Sequence, residues 1–298
     1  MTREHKDRTT LCIDLGGTKT LLALVRGCNI LERIERPTPR AAPTDEWIET
    51  VVREARPWNG QYQSVGMAVS GLVCDGNWSA LNKATLDVDD SYPLEARLRE
   101  SLRCPAFAVN DAQAAAWGEY QNGTSSSADM VYLTISTGLG GGIVVNGELI
   151  EGRNGLAGHV GQWTSDNTQR PGPLENHVTG RWIAAEAARQ GHSMEAAGVF
   201  AASAQGDEWA EAIISESARR AALLSQNIQM MLAPEYIVIG GGIGLAAGYL
   251  DRMRRHCADL NAHQLPNFLP AALGRDAGIV GVADLTTRNR KPPTGRKS

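Results

Sequence analysis

Residues 11–19, Leu-Cys-Ile-Asp-Leu-Gly-Gly-Thr-Lys, put a carboxylate at the end of an apolar run and follow it with two glycines, a hydroxyl and a cation. A run bounded in this way reads as a buried strand that delivers Asp14 to a tight turn. Two arrangements satisfy the pattern. In one, Gly16 and Gly17 let backbone N–H groups approach an anion closely, Thr18 and Lys19 add donors, and Asp14 holds a hydrated Mg²⁺ beside it. In the other, the glycines only close a β-hairpin, since Leu21 to Val25 is a second apolar run.

The runs 11–15, 21–25 and 28–34 predict three antiparallel strands. Thr44 is a suitable N-cap for a helix that starts at Asp45, in which Trp47, Ile48, Val51, Val52 and Ala55 recur at helical spacing until Pro57 stops it. Residues 65–70 and 106–109 are rich in strand formers and end in Ser70-Gly71 and Asn110-Asp111. An alanine-rich helix, Ala112 to Tyr120, comes next. Alternation of strand and helix points to an α/β class with a partly parallel sheet.

The second half repeats the plan loosely. Met130 to Ser136 is a strand, Gly140-Gly141-Gly142 a turn, and Asn146-Gly147 the centre of a hairpin. Helices over about 181–190 and 207–232 precede a buried strand, Tyr236 to Ile239, which runs into Gly240-Gly241-Gly242. A weak internal duplication accounts for the repetition. At 298 residues the chain suits two packed domains, with a cleft available between them.

Composition excludes several classes of function. A net charge of −4 gives no reason to expect nucleic acid, and the basic stretch Arg288 to Lys297, broken by Pro292, Pro293 and Gly295, reads as a solvated tail. No run approaches 18 apolar residues and no hydrophobic signal core follows the N-terminal basic residues, so no membrane partner and a cytoplasmic location are expected. The five cysteines, Cys12, Cys28, Cys74, Cys104 and Cys257, are scattered and never form a Cys-x-x-Cys pair. Neither a disulfide framework nor a thiolate zinc site is visible in that spacing.

Asn110-Asp111 stands where a strand ends and a helix begins, the edge on which open α/β sheets place ligands. Asp111 there is able to accept a proton from a substrate hydroxyl. Asp and Asn are also the residues that ordinarily cap a helix N-terminus, so the pair by itself leaves both roles open. Ser136-Thr137-Gly138-Leu139-Gly140-Gly141-Gly142 is a second glycine-rich turn after a strand, mirroring the first. Gly240-Gly241-Gly242-Ile243-Gly244 is a third, at a strand-to-helix junction where backbone approaches a flat or anionic ligand. It lacks the spacing of a dinucleotide fingerprint.

Five segments, Asp14-Leu-Gly-Gly-Thr-Lys19, Asn110-Asp111-Ala, Ser136-Thr-Gly-Leu-Gly-Gly-Gly142, Gly158-His159 and Gly240-Gly-Gly242, resemble in type and order those of the ROK-family sugar kinases. The resemblance spans about residues 10–285. It implies the two-domain actin/hexokinase-like (ribonuclease H-like) ATPase fold, with domains at 1–118 and 119–276 and a C-terminal helix, about 277–290, completing the first. Residues 110–117, 155–159 and 244–250 look most like bacterial N-acetylmannosamine kinases. The implied reaction is ATP-dependent phosphorylation of the 6-hydroxyl of N-acetylmannosamine, a step of sialic acid catabolism. Glucose or another N-acetylhexosamine, or sugar binding without turnover, are the alternatives.

By the same resemblance Asp111 is the general base and Asn110 binds the neighbouring hydroxyl. His159 and Glu175 bind sugar hydroxyls, with Gly71 and Asn82 as weaker sugar-site candidates. Asp14 organises Mg²⁺, through water. The turn Gly16, Gly17, Thr18 and Lys19 and the turn Thr137 and Gly138 hold the phosphates of ATP, and Gly240, Gly241 and Gly242 border adenine. A homodimer is implied as well.

The chain departs from the family at its zinc loop. The Cys-x-Cys-Gly-x-x-Gly-Cys-x-Glu segment common after Gly-His is absent, and the stretch from Val160 to Val178 carries no cysteine, so no zinc is expected. Counting back from Gly180 puts Glu175 at the position of the glutamate that ends that motif. Pro171 and Pro173 are expected to stiffen the shortened loop and Trp163 and Leu174 to pack under it. His159 and His177, two histidines without thiolates, make a poor structural zinc site. Leu156 stands where many ROK kinases place a glutamate, a feature shared by the sequences that look like N-acetylmannosamine kinases.

Overall fold

A computed structural model describes residues 8–40, 42–82, 86–123, 129–165 and 172–288. The three opening runs form β1 (Thr9–Leu15), β2 (Lys19–Arg26) and β3 (Asn29–Pro37), paired antiparallel. β1 lies between two neighbours and is almost wholly buried, which is why it reads as unbroken apolar sequence. β3 is the edge, and its charged residues, Glu32, Arg33, Glu35 and Arg36, keep it from pairing further.

α1 (Thr44–Ala55) buries Trp47, Ile48, Val51 and Ala55 in the core shared with β1 and β2. Thr44 is its first helical residue, not its N-cap. The cap position falls to Pro43, whose extended backbone starts the helix without any side-chain bond. β4 (Ser64–Val69) runs parallel to β1, and β5 (Leu72–Cys74) pairs with β6 (Asn77–Ser79) in a small hairpin. α2 (Leu94–Leu102) precedes β7 (Ala106–Asn110), parallel to β4, and α3 (Asp111–Asn122) follows at once. The sheet order is β3-β2-β1-β4-β7.

The C-terminal helix, Ala277–Arg288, lies along α3 at backbone contact. A methyl group at Gly281 would stand 1.8 Å from the Ala114 carbonyl oxygen, and one at Gly118 2.2 Å from that of Ala277. Only hydrogen at these two positions permits such an approach. Trp117 Nε1 donates to Asp284 at 2.7 Å and closes the far end of the crossing. Residues 289 and 290, expected in this helix, lie outside the described residues.

The same plan recurs in β8 (Met130–Ile135), β9 (Leu139–Val145) and β10 (Glu148–Leu149), which pair antiparallel. A short hairpin of β11 (Thr164–Ser165) and β12 (Gly172–Pro173) leads to α4 (Glu175–Val178), α5 (Gly180–Arg189), α6 (Ala196–Ala204) and the 25-residue α7 (Glu208–Leu232). β13 (Tyr236–Gly240), parallel to β8, continues through α8 (Gly241–Gly244) and α9 (Tyr249–Arg255) to β14 (Phe268–Pro270). The order β10-β9-β8-β13-β14 matches that of the first sheet strand for strand, as a duplication requires.

One expectation fails here. Gly140, Gly141 and Gly142 do not form a turn; they lie within β9 opposite Thr134, Leu133 and Tyr132. The turn is Ser136 to Gly138. Close packing, not chain reversal, explains the glycines, because a methyl at Gly141 would meet the carbonyl oxygens of Tyr132 at 2.9 Å and of Gly158 at 3.0 Å.

The contacts divide the chain into two compact units. One holds Met1–Asn122, Glu151–Ala157 and Arg275–Ser298, and the other Gly123–Ile150 and Gly158–Gly274. The excursion Glu151–Ala157 and the C-terminal helix thus belong with the first sheet.

Candidate active site

Because β1, β4 and β7 are parallel neighbours, their carboxyl ends share one edge of the first sheet. That edge collects Asp14, Gly71, Asn110 and Asp111. Asn110 ends β7 and caps α3: its Oδ1 accepts the N–H of Ala112 at 2.9 Å and of Gln113 at 3.1 Å. Its Nδ2 donates to the Gly71 carbonyl at 2.9 Å. The capping role is therefore real, and it fixes the side chain instead of excluding a ligand, since Nδ2 carries a second N–H. Gly71 sits at φ 114°, where a methyl would lie 2.6 Å from the Ser79 carbonyl oxygen, so its backbone is held against the β6 hairpin.

Asp111 Oδ1 accepts the N–H of Ala112 at 2.8 Å, which orients its carboxylate. Asp14 is half-buried near the end of β1, two strands away in the sheet. Burial, and then the negative charge of Asp111, push its carboxyl up to about 7. Gly278, in the first turn of the C-terminal helix, abuts both: a methyl there would lie 3.3 Å from Asp14 Oδ2 and 3.9 Å from the Asp111 carbonyl oxygen.

A carboxyl whose pKa is raised by burial and by the charge of a second carboxylate forms a place that a cation relieves. Mg²⁺ takes one or two protein carboxylates and fills its remaining positions with water and phosphate oxygens. Asp14 with Asp111 suits that requirement, although among the described residues no group of three or more His, Cys, Asp or Glu is placed to hold a metal.

The turn at 16–19 does close the β1–β2 hairpin, so the two arrangements open to the sequence coincide in part. The Gly16 N–H donates to the Lys19 carbonyl at 3.0 Å, and the Gly16 carbonyl accepts from Thr38 Oγ1 at 2.7 Å. Those bonds stiffen the turn and leave Gly17 and the exposed Thr18 at its tip. Lys19 turns to the edge strand and pairs with Glu35 at 2.5 Å. Asn82 is half-buried, and its carbonyl accepts the Leu86 N–H at 3.4 Å.

In the second unit the exposed Thr137 and half-buried Gly138 form the tip between β8 and β9. Glu175, at the start of α4, is 8% exposed, and a methyl on Gly138 would stand 3.6 Å from its Oε2. Gln162 Nε2 donates to Glu175 Oε1 at 3.1 Å. His159 is half-buried just before the 3₁₀ turn Val160–Gln162 that carries this glutamine. His177 is buried, and its carbonyl accepts from Arg220 at 2.9 Å.

The described flanks of the shortened loop are paired through main chain. Leu174 donates its N–H to the Trp163 carbonyl at 2.8 Å, extending the β11–β12 pair, and Leu174 packs on the core. Trp163 is 36% exposed, and residues 166–171 of the loop lie outside the described residues. Pro173 sits in β12, while Pro171 lies outside the described residues.

The third turn is shaped by its floor. Gly240 lies over Tyr132, where a methyl would come within 2.3 Å of the hydroxyl, and a methyl at Gly241, at φ 83°, would come within 2.4 Å of the Ile135 carbonyl oxygen. Gly242 faces open space, with nothing within 4 Å of a methyl built there. A flat ring has room beside it.

Sequence reading passed over three residues that the structure brings to these places. Gln113, one helical turn beyond Asn110, donates to the carbonyls of Gly155 at 3.1 Å and Ala157 at 2.9 Å. Gly278 and Arg181 are the others. Helical spacing from Asn110 was a usable signal for Gln113; none existed for Gly278, whose neighbours are more than 160 residues away in sequence.

The ROK family model matches residues 10–289. A curated bifunctional enzyme, NanE/NanK, of Brucella melitensis is 45% identical over 92% of this chain and 53% of its own length. The chain thus spans about half the length of the curated relatives it matches first. An N-acetylmannosamine kinase of Escherichia coli O9:H4 is 38% identical over 92% of this chain and 97% of its own. Among solved structures, a ROK family glucokinase from Streptomyces griseus, in complex with glucose and AMPPNP, superposes with a TM-score of 0.80 at 26% identity, covering 93% of this chain and 98% of its own.

Proposed function

The chain belongs to the ROK family, and from that premise we propose that it is an N-acetylmannosamine kinase, transferring a phosphoryl group from ATP to the 6-hydroxyl to give N-acetylmannosamine 6-phosphate. The observation that carries the substrate is the end-to-end identity with an N-acetylmannosamine kinase, 38% over 97% of that enzyme. Carboxylates on one edge of the first sheet, Asp14 and Asp111, support the chemistry.

Asp111 takes the proton of the 6-hydroxyl as the oxygen attacks. The bond from the Ala112 N–H to its Oδ1 orients the carboxylate ahead of the reaction. Asn110, clamped by α3 and Gly71, directs its remaining N–H to the neighbouring hydroxyl. His159 and Glu175 bind further hydroxyls, with Gly71 and Asn82 as lesser contacts. Asp14 holds Mg²⁺ through water. The turn Gly16 to Lys19 and the turn Thr137-Gly138 receive phosphates, and Gly240 to Gly242 border the adenine. Magnesium, when bound, neutralises polyphosphate charge; alignment by these residues supplies the remainder, because a loose phosphoryl-transfer transition state needs little covalent help.

The enzyme acts in the cytoplasm, as a homodimer, in sialic acid catabolism. Its five cysteines are free, which suits a reducing compartment, and no described helix is long and apolar enough to cross a membrane.

The test is a coupled ADP-release assay across N-acetylmannosamine, N-acetylglucosamine, glucose and mannose. The highest kcat/KM is expected for N-acetylmannosamine. Preference for glucose, the sugar in the Streptomyces griseus complex, would replace the substrate and keep the chemistry. Sugar binding without turnover on any of the four would leave a pseudokinase.

A further inference from the structure

Transfer of a phosphoryl group concentrates negative charge on the terminal phosphates, so its site needs cationic donors aimed at them. Lys19, the cation of the first glycine turn, is engaged with Glu35 on the edge strand. The second turn has a cation of its own. Arg181 is the second residue of α5, and the start of that helix is fastened to the turn by the Gly180 N–H, which donates to the Ser136 carbonyl at 2.8 Å. From there Arg181 Nε donates to the Thr137 carbonyl at 3.0 Å. A terminal nitrogen of the same guanidinium stands 3.9 Å from Glu175 Oε2, a charge contact too long for a hydrogen bond.

The side chain is 42% exposed, and the Thr137 bond uses one of its five N–H donors. A planar fork with unused donors, lying across the tip of a turn that receives phosphate, matches two phosphate oxygens as a lysine ammonium does not. Glu175 behind it is tied by Gln162 and keeps the guanidinium on the turn.

We propose that Arg181 is a nucleotide-binding residue whose guanidinium binds the terminal phosphates of the nucleoside triphosphate received by Thr137 and Gly138. The proposal rests on the kinase reading, and its test separates the two.

Arg181→Ala and Arg181→Lys are compared with the unaltered chain in two measurements: initial rates over a matrix of ATP and N-acetylmannosamine, and direct calorimetric binding of ATP and of adenosine. Arg181→Ala is expected to raise the KM for ATP about tenfold or more, as loss of charge-assisted bonds does, and to leave the sugar KM within about twofold. Affinity for ATP falls while that for adenosine holds, and Arg181→Lys recovers part of the loss. An unchanged ATP affinity overturns the proposal, as does a rise confined to the sugar KM, which would assign Arg181 to Glu175. If the unaltered protein binds ATP but phosphorylates no sugar, the kinase reading fails and the ATP-against-adenosine comparison still decides Arg181. If it binds no ATP, both fall.

Discussion

Asp14, near the end of β1, and Asp111, just past the end of β7, lie on one edge of the sheet with β4 between their strands, close enough that the charge of Asp111 adds to burial in pushing the Asp14 carboxyl up to about 7. The folded chain therefore holds a proton on Asp14 that the unfolded chain, with an ordinary carboxyl near 3.8, has released. The stability this gives is fully present below the ordinary value and is lost as pH rises through about 7. Without nucleotide or Mg²⁺, the melting temperature of the unaltered protein is expected to fall between pH 4 and 8 more steeply than that of Asp14→Asn, which melts higher at pH 8. Parallel curves in thermal unfolding across that range would remove the basis for a cation site at Asp14.

Asp111→Asn keeps the oxygen that accepts the Ala112 N–H and loses the basic function. Turnover is expected to drop by roughly 10²–10⁴, the usual contribution of a general base, with N-acetylmannosamine binding altered only a few-fold. Steady-state rates paired with calorimetric sugar titration check it. Undiminished kcat would reassign the base.

Asn110 carries a mechanical duty as well as a binding one. Asn110→Ala removes the acceptor for two N–H groups of α3 and the donor to Gly71, and a lost cap of this kind costs about 1–2 kcal/mol. Melting temperature and sugar affinity should fall together. Asn110→Asp preserves the cap, so most of the stability returns while the Gly71 bond and sugar affinity do not.

The cores of both sheets were legible because β1, β4, β8 and β13 are buried strands, and such strands announce themselves as short apolar runs. What escaped was set by tertiary contact. Gly140–Gly142 have the composition of a turn, yet they are strand residues thinned to admit Tyr132 and Gly158. α6 is alanine-rich with no apolar periodicity, and β14 is three residues ending in proline, so neither carries a local signal. Thr44 resembled a cap until Pro43 proved to occupy that position. At the site, motif residues were readable one at a time. That Asn110 is clamped by Gly71, or that Gln113 reaches Gly155 and Ala157, depends on segments brought together by the sheet.

Main-chain pairing of β11 with β12 and the Gln162–Glu175 bond hold the loop that follows His159. Purified protein is accordingly expected to contain well under one zinc per chain, and its melting temperature to be indifferent to EDTA. Elemental analysis and thermal unfolding with and without chelator decide it. Stoichiometric zinc, or a chelator-induced drop of several degrees, would mean that His159 and His177 do hold a structural metal after all.

The crossing of α3 with the C-terminal helix separates folding from alignment within one element. Gly281 meets the Ala114 carbonyl so closely that a methyl would fall at 1.8 Å, backbone against helix, with no side chain able to yield. Gly281→Ala is expected to cost at least the 1–3 kcal/mol typical of overpacking, and to reduce soluble yield and melting temperature. One turn earlier, a methyl at Gly278 would stand 3.3 Å from Asp14 Oδ2, a distance that a carboxylate relieves by moving a few tenths of an ångström. Gly278→Ala should therefore fold, lower kcat several-fold and raise the Mg²⁺ concentration needed for half-maximal rate, with the sugar KM unchanged. Titrating Mg²⁺ at saturating ATP and sugar distinguishes the two variants. If Gly278→Ala lost stability without any change in its Mg²⁺ requirement, the C-terminal helix would be packing for α3 alone and not a support for Asp14.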